Sequence, residues 1–481
     1  MKTNYLKITG ILMVSLIIGL ASCKKDETKQ LPTVASPATT DVQAETAVDL
    51  SFTFTADGGF NAATVTATGG TAVIKTNGTG SATSGTIVVT FTAGTTIGAG
   101  SVKLTITDGE GQTGSGTAVL NIVAEQMEFH ISSNITTDQT WYTGKVYILE
   151  SRIAVTSGVT LTIQPGVVVK GNAGTGANAC ALLIARGGKL MAEGTADQPI
   201  IFTSVADLLM PGEIASPNLE PTLNGLWGGL IVLGYAPISV AGDSPTAQIE
   251  GIPPSDPNGL YGGDVPTDNS GVIRYVSIRH GGTNIGEGNE INGLTLGGIG
   301  SGTTIDHIEI VSNQDDGIEW FGGKVNVTNA VLWNVGDDAV DTDQAWGGTI
   351  DNVVIINPFD ECFEIDGGEG SMDDWNHVTN ATVKAHEAQG LVDLDDDSWI
   401  VMDNVYFFDL MEGQDVDLNP DHLQAESWQA TIPDGYTVAD FFMYGTDAWT
   451  TAVAQGANTV GADLNQFQGW SWAAVSGALD W

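Results

Sequence analysis

Acidic residues recur at regular intervals in the last third of the sequence. Similar segments begin at Ile305, Val327, Ile350, Val378 and Met402, and aligning them by their in–out alternation places the acids in three columns. The first column holds Glu319, Asp341, Glu364, Asp393 and Asp415, the second holds Asp343, Asp366, Asp395 and Asp417, and the third holds Asp316, Asp338 and Glu361. The fifth segment also fits a register shifted by one residue.

Carboxylates stacked in this way repel one another. Adjacent strands lie about 4.8 Å apart, and two unit charges at that distance repel by roughly 3 to 4 kcal/mol at an effective dielectric constant of 20. The Lys and Arg residues of this stretch are Lys324 and Lys384, which are too few to neutralise the columns. The repulsion is relieved if the side chains spread into solvent, if some acids keep a proton, or if cations bind between them.

Ca²⁺ is the cation that suits this pattern. It accepts about six to eight oxygen ligands and can bridge carboxylates on neighbouring turns, whereas Mg²⁺ demands a stricter geometry. The columns contain no Cys or His, which disfavours zinc and copper. We therefore expect the acids of all three columns to be Ca²⁺ ligands. The alternative is an acidic face that is merely solvated.

Paired carboxylates can also hydrolyse glycosidic bonds. One acid then serves as the proton donor and the other as the base or nucleophile, with pKa values set apart by their surroundings. Asp316 with Glu319, or Asp338 with Asp341, would be the first candidates.

Three Trp residues follow the second acidic column and extend the glycan hypothesis. Trp346, Trp375 and Trp399 lie in predicted loops at one edge of the repeats. A row of exposed indoles beside bound cations would form a stacking surface for sugar rings. The alternative is that each indole folds back over its own turn.

The repeats themselves predict the element that carries these residues. The five segments start 22, 23, 28 and 24 residues apart, a period typical of one turn of a parallel β-helix. Looser repeats extend the predicted solenoid over residues 126–420. Asn329, Asn352, Asn380 and Asn404 share one repeat position, where stacked amides would hold a tight bend.

The repeats also carry a family resemblance. The segments GLWGGLIVLG (225–234), DDGIEWFGG (315–323) and GDDAVDTDQAWGGTIDN (336–352) resemble a Bacteroidota surface lipoprotein family with a pectate-lyase-like right-handed parallel β-helix. The resemblance covers about residues 126–481. It implies the fold and a cell-surface location, and it brings no assigned catalytic residues.

The same fold hosts uronate lyases, which need Ca²⁺ and an Arg or Lys base. Candidates for the base near the repeats are Arg274, Arg279 and His280, together with Lys324 and Lys384. Each of them is equally consistent with a structural role.

The N-terminal sequence predicts export and a lipid anchor. Residues 1–22 have the basic start and apolar stretch of a signal peptide, and Leu20-Ala21-Ser22-Cys23 resembles a bacterial lipobox. We expect Cys23 to be lipidated and residues 23–40 to form a polar tether. The protein should then be an outer-membrane lipoprotein that faces the medium and is attached to the membrane only through its lipid.

The remaining segments complete an all-β prediction. Residues 41–123 alternate apolar and polar residues between Gly-rich turns, which indicates a small immunoglobulin-like or cadherin-like β-sandwich. Residues 421–481 lose the repeat and are expected to cap the solenoid. A formal charge of −42 excludes nucleic acid as a partner.

The sequence therefore predicts a surface-anchored lipoprotein whose β-helix binds Ca²⁺ and presents a glycan-binding surface. A polysaccharide lyase or glycoside hydrolase is one alternative. A structural adhesin or envelope component without a small ligand is the other.

Overall fold

A computed structural model describes residues 29–284, 291–395, 397–417 and 423–481. The chain divides into two compact units, Met1–Gln126 and Met127–Trp481. The predicted signal peptide and Cys23 lie outside the described residues. Within those residues, no helix combines the length and the apolar character needed to cross a lipid bilayer.

The first unit is the predicted β-sandwich. Its strands are β1 (Thr33–Ala35), β2 (Thr40–Gln43), β3 (Ala47–Thr55), β4 (Phe60–Thr68), β5 (Gly70–Thr76), β6 (Ser84–Ala93), β7 (Gly98–Asp108) and β8 (Thr113–Val123). They form two facing sheets, ordered β1-β3-β6-β5 and β2-β8-β7-β4. Alternation builds the core, because Leu50, Phe52 and Phe54 are buried between exposed neighbours. Since β1 pairs with β3, the predicted tether ends before residue 33.

The second unit is a right-handed parallel β-helix. Its earlier strands are β9 (Glu128–Ile131), β10 (Gln139–Trp141), β11 (Val146–Leu149), β12 (Ile153–Val155), β13 (Thr160–Ile163), β14 (Val168–Gly171), β15 (Leu182–Ile184), β16 (Lys189–Glu193), β17 (Ile200–Ser204), β18 (Leu230–Leu233), β19 (Ala247–Gln248), β20 (Leu260–Tyr261), β21 (Gly271–Arg279) and β22 (Leu294–Ile299). Its later strands are β23 (Thr304–Val311), β24 (Ile318–Gly323), β25 (Val327–Trp333), β26 (Val340–Asp343), β27 (Thr349–Ile356), β28 (Phe363–Ile365), β29 (Asn376–Lys384), β30 (Val392–Leu394), β31 (Ile400–Phe408), β32 (Val416–Asp417), β33 (Leu423–Glu426), β34 (Trp428–Ala430) and β35 (Thr450–Ala452).

Short helical turns interrupt the loops. They are 3₁₀ turns at Gly176–Asn178, Pro257–Gly259, Val438–Asp440, Thr446–Ala448 and Leu464–Phe467, and one α-helical turn, α1 (Trp472–Val475).

Each turn of the solenoid contributes to two parallel sheets. The long sheet contains β21, β23, β25, β27, β29 and β31 in that order, and the short sheet runs β12-β15-β18-β22-β24-β26-β28-β30-β32. In the long sheet the predicted segment starts Ile305, Val327, Ile350, Val378 and Met402 stand opposite one another, which confirms the predicted register. All five side chains are buried in the solenoid core.

A row of left-handed residues bends each long strand. His307, Asn329, Asn352, Asn380 and Asn404 have φ between 54° and 61°, a conformation that Asn tolerates better than other side chains. The Asn352 amide donates to Asn329 Oδ1 at 2.7 Å, and that of Asn404 donates to Asn380 Oδ1 at 3.2 Å. The ladder skips between Asn352 and Asn380, whose amide donates instead to Asp351. The predicted structural role of these amides is confirmed.

The C-terminal region departs from a simple cap. Strands β34 and β35 continue the long sheet, and Trp428, Phe441 and Phe442 do close its core as predicted. Residues 462–481, here called the C-terminal strap, fold back instead onto the outer face of the long sheet. There Trp470 and other strap residues pack on outward side chains of β23, β25 and β27. Capping is therefore the wrong description for the strap.

Candidate functional site

The first acidic column is a continuous ladder on the short sheet. Glu319 stands opposite Asp341, Asp341 opposite Glu364, and Glu364 opposite Asp393. The next rung is Asp417, because Val392 pairs with Val416. The prediction placed Asp415 there and Asp417 in the second column, which is wrong by two positions. Asp415 instead directly precedes β32.

The other two columns flank this ladder. Since Thr342 pairs with Ile365 and Ile365 with Leu394, the residues that follow them form the second column: Asp343, Asp366 and Asp395. In the third column the N–H of Asp338 donates to Asp316 Oδ1 at 3.1 Å, and the N–H of Glu361 donates to Asp338 Oδ1 at 2.6 Å. The chain therefore holds all three columns side by side on one sheet.

One end of the ladder is covered by protein rather than by solvent. Asp316, Glu319, Asp338 and Asp341 are only 6 to 8% exposed. The insertion between β18 and β21 packs on the outward Phe321, which lies on the same strand as Glu319, and the charge of Glu250 in this insertion helps raise the pKa of Glu319. Toward β30 the cover ends, since Glu364 and Asp393 are half-buried and Asp395 is exposed.

Gly322 permits this close cover. Its φ of 67° is left-handed, and a Cβ there would lie 2.9 Å from the Cα of Ile238 in the insertion. The covered end therefore differs from the merely solvated acidic face that the sequence left as an alternative.

The covered acids converge in space. Carboxylate oxygens of Asp316, Glu319 and Asp341 lie within 4.8 Å of one another, and so do those of Asp315, Asp316 and Asp337. We call the first three residues the acidic cluster. Asp315 and Asp337 were not predicted, although each directly precedes a member of the third column in the sequence.

Burial and mutual repulsion raise the pKa values of these acids. Burial first, and then the charge of neighbouring acids, raise the pKa of Asp316, Glu319 and Asp341 well above the ordinary range. Burial, with a hydrogen bond to Glu364, raises the pKa of Asp338 to about 10. The covered end of the ladder thus favours either a bound proton or a bound cation over bare charge.

The flanking acids follow the same trend. Burial raises the pKa of Asp343 and Asp366 to about 7, with acidic neighbours adding to the effect. Glu361 rises to a pKa of about 8 for the same reasons.

An orphaned amide adjoins the acidic cluster. Asn292 is fully buried, and its Nδ2 donates to Glu319 Oε2. Its Oδ1 has no hydrogen-bond partner among the described residues. A buried acceptor of this kind is rare in folded proteins, and it calls for a donor or a cation. Nothing in the sequence marked Asn292, because it lies outside the acidic repeats.

The predicted Trp surface is only partly present. Trp346 is 1% exposed and stacks on Trp320 inside the solenoid, with ring centroids 4.5 Å apart, so its assignment to a ligand surface is wrong. Its Nε1 donates to Val325 O. Trp375 and Trp399 are half-buried and pack edge to face, with centroids 5.0 Å apart. They follow β28 and β30, at the exit edge of the short sheet.

Four of the five candidate lyase bases lie on or next to the long sheet, and Lys324 directly follows β24 of the short sheet. Arg274 pairs with Asp306 at 3.2 Å, and Arg279 is fully buried against Glu309 at 3.3 Å, both on the long sheet. Burial lowers the pKa of His280 at the end of the same strand. Lys324 pairs with Asp374. Lys384, the last residue of β29, lies 4.0 Å from Asp409. The two Arg and two Lys candidates therefore pair with acids outside the three columns.

One of three comparisons with known proteins, the match to a family model, agrees with the fold. No curated protein matches this chain significantly. Among solved structures, a Yersinia enterocolitica family 28 exopolygalacturonase is 10% identical over 88% of this chain and 89% of its own, with a TM-score of 0.20, which is too low to support an inference. A family model described as the pectate-lyase like beta helix domain matches residues 133–434, more than half of the chain. This chain therefore belongs to the pectate-lyase-like β-helix family.

Proposed function

We propose that this protein binds Ca²⁺ along its acidic ladder and presents the loaded ladder as a glycan-binding surface. The observation that carries the proposal is the acidic cluster, in which Asp316, Glu319 and Asp341 bring their oxygens within 4.8 Å while almost fully buried.

A hard divalent cation suits this donor set. Every candidate ligand is an oxygen, which favours Ca²⁺, Mg²⁺ or Mn²⁺ over zinc or copper. The orphaned Oδ1 of Asn292 supplies a neutral oxygen beside the cluster once its amide turns over. Ca²⁺ tolerates the irregular spacing of such a set better than Mg²⁺ does. A cation there offsets the repulsion that otherwise holds protons on these acids.

Glycan binding would use the uncovered end of the ladder. There the half-buried Glu364 and Asp393 lie on strands β28 and β30, and the Trp375 and Trp399 pair follows these strands in the chain. Indoles pack against the apolar faces of sugars, and bound cations with open coordination positions accept sugar oxygens. Together they offer an apolar contact and an ionic contact to one ligand.

Calorimetry on EGTA-treated protein tests the cation site. We expect Ca²⁺ to bind more tightly than Mg²⁺, and Asp341→Asn to remove the tightest site. Asp434→Asn is the matched control, since it removes the same charge from an exposed turn. Ca²⁺ binding that is absent, or unchanged by Asp341→Asn, would contradict the proposal.

The location is part of the same proposal. Cys23 would carry the lipid that holds the protein in the outer membrane, facing the medium. Mass spectrometry of the N-terminal peptide tests this, because a diacylated or triacylated Cys23 is expected, and Cys23→Ser should release the protein from the membrane fraction. Peptides that begin before residue 23 in the mature protein would refute it.

Glycoside hydrolysis is the second candidate, favoured by the raised pKa values. Without a cation, the raised pKa values of Asp316 and Glu319 favour a proton on the cluster, and a protonated acid beside a carboxylate is the pairing that glycosidases use. We would then expect reducing ends from a polysaccharide panel, and their loss in Glu319→Gln. If the protein neither binds nor cleaves any glycan, a structural adhesin remains.

A further inference from the structure

A groove lies at the entry edge of the short sheet, opposite the exit edge where Trp375 and Trp399 lie. It has a volume of about 580 Å³, within the range of about 300 to 1,000 Å³ common for ligand sites. Its wall includes Asn224, Gln314, Asn334, Asn357, Phe359 and Glu387. Most of these residues follow β23, β25, β27 and β29, which are consecutive in the long sheet. The groove therefore runs along the solenoid axis, across successive turns.

Backbone geometry holds two amides in line along this groove. Trp333 pairs with Ile356, so Asn334 and Asn357 occupy equivalent positions directly after them. Both have left-handed backbones, with φ of 53° and 49°. The N–H of Asn334 donates to Ile356 O at 2.9 Å. The repeat thus fixes the backbone of both residues, and the Asn334 side-chain amide is held by a hydrogen bond that it donates to Pro221 O at 2.6 Å.

One of the two amides has an unmet hydrogen-bonding requirement. Asn357 Oδ1 is shielded from water, and it has no hydrogen-bond partner among the described residues. Buried acceptors are nearly always paired. A hydroxyl group bound in the groove would supply the missing donor once the Asn357 side chain turns toward it.

An exposed aromatic ring adjoins these amides. Phe359 is 63% exposed, although its N–H donates to Val335 O at 2.9 Å, which fixes its backbone. A large apolar ring on an ordered backbone gains by covering its face with C–H groups. The amides can form hydrogen bonds with the hydroxyls of a sugar, and the ring can pack against its C–H groups. The groove is therefore chemically complementary to a sugar.

The charge around the groove selects against acidic sugars. Its described lining residues include Glu387 and neither Lys nor Arg. Asp315, Asp337 and Asp360 each stand next to a lining residue in the sequence. A uronate would meet like charge here without a compensating base.

We propose that this groove binds a neutral polysaccharide whose chain lies along the solenoid axis. The inference rests on the glycan-binding part of the proposed function, but it does not require the cation. The Trp375 and Trp399 pair would form a separate, Ca²⁺-dependent contact at the other edge.

Affinity electrophoresis and calorimetry with neutral glucans, mannans and xylans, with polygalacturonate as the acidic comparison, test the groove. At least one neutral polymer should bind equally in Ca²⁺ and in EGTA, and Phe359→Ala should weaken it at least tenfold. Asn357→Gly, which keeps the left-handed backbone, should weaken it several-fold. Tyr142→Ala, which removes an exposed ring from an early turn, should change nothing.

Opposite results would overturn the inference. These are preference for polygalacturonate, loss of neutral-glycan binding in EGTA, or no effect of Phe359→Ala in a variant with unchanged melting temperature. Capture of a basic peptide instead of any glycan would also overturn it. If no neutral polymer binds while calorimetry still detects Ca²⁺, the groove proposal fails and the cation ladder stands.

Discussion

Replacing Asp341 by Asn should stabilise the protein when no divalent cation is present. Asp341 stands between Glu319 and Glu364 on the ladder and belongs to the acidic cluster. Asn has nearly the same shape and carries no charge. Loss of a buried carboxylate thus becomes a gain in the free energy of unfolding.

The size of this gain follows from the spacing of the ladder. One pair of unit charges about 4.8 Å apart costs about 3.5 kcal/mol at an effective dielectric constant of 20. Avoiding that cost by holding a proton at pH 8, on a group with an unfolded pKa of about 3.9, costs about 5.6 kcal/mol. We therefore expect Asp341→Asn to stabilise the protein by at least about 3 kcal/mol at pH 8 in EGTA. At pH 4 the variant and the wild type should differ little.

Urea denaturation followed by Trp fluorescence measures this difference. All 12 Trp residues lie in the second compact unit, so the signal reports on the β-helix. Saturating Ca²⁺ should make the wild type more stable than the variant. The ion stabilises the wild type by binding to its folded state, whereas the variant lacks the Asp341 carboxylate as a ligand. The control Asp434→Asn should change stability by less than about 0.5 kcal/mol at either pH.

Two results would refute the electrostatic reasoning. In EGTA at pH 8 the variant would be less stable than the wild type, or the two would differ equally at pH 4 and pH 8. Either would mean that Asp341 is held mainly by hydrogen bonds rather than strained by its acidic neighbours.

Three further predictions concern the pH dependence of stability, the row of left-handed Asn residues in the long sheet, and the Trp residues. Burial raises the pKa of Asp343 and Asp366 to about 7 and that of Glu361 to about 8. The folded state therefore binds more protons than the unfolded state, and the melting temperature in EGTA should fall as pH rises from about 4 to about 8. A melting temperature that stays constant or rises over this range would contradict the prediction. Asn352→Ala should lower the free energy of unfolding, measured by urea denaturation, by about 2 kcal/mol. Asn352→Gly should lower it less, because Gly accepts the φ of 61°. Equal losses would mean that backbone strain is not involved. Trp399→Ala should weaken Ca²⁺-dependent retention on immobilised polysaccharide, because this indole is half-buried. Trp346→Ala should instead lower the unfolding free energy by about 3 to 5 kcal/mol, because this indole is buried in the core. The reverse pattern would contradict the assignment of Trp399 to the ligand surface and of Trp346 to the core.

Much of the solenoid could be predicted because its signals are local. The apolar residues that begin each repeat face the core, and a left-handed bend favours Asn, so both recur at the period of one turn. The ladder from Glu319 to Asp393 follows from alternation alone once the register is known. The fifth rung was misplaced because Asp415 and Asp417 straddle Val416, and alternation cannot choose between them without the neighbouring strand.

The remaining features depend on contacts that are distant in sequence. Alternation places Glu319 and Asp341 outside the solenoid, but it does not reveal that they are buried or that the insertion between β18 and β21 packs on the neighbouring Phe321. Trp346 points inward because Gln344 and Ala345 before it are both left-handed, with φ of 54° and 58°, and alternation fails beyond such a turn. Asn292 and the groove at Phe359 arise from separate turns and have no motif of their own.

The C-terminal strap changes how the solenoid should come apart. A stack of turns that touch only their neighbours can fray one turn at a time. Here the N–H of Asp463 donates to Asn352 at 2.6 Å and that of Ala473 donates to Glu309 at 2.9 Å, 164 residues earlier in the chain. These hydrogen bonds connect several turns, which should therefore unfold together. Amide hydrogen exchange in β23, β25 and β27 should proceed at one common, slow rate and not at rates that change from turn to turn.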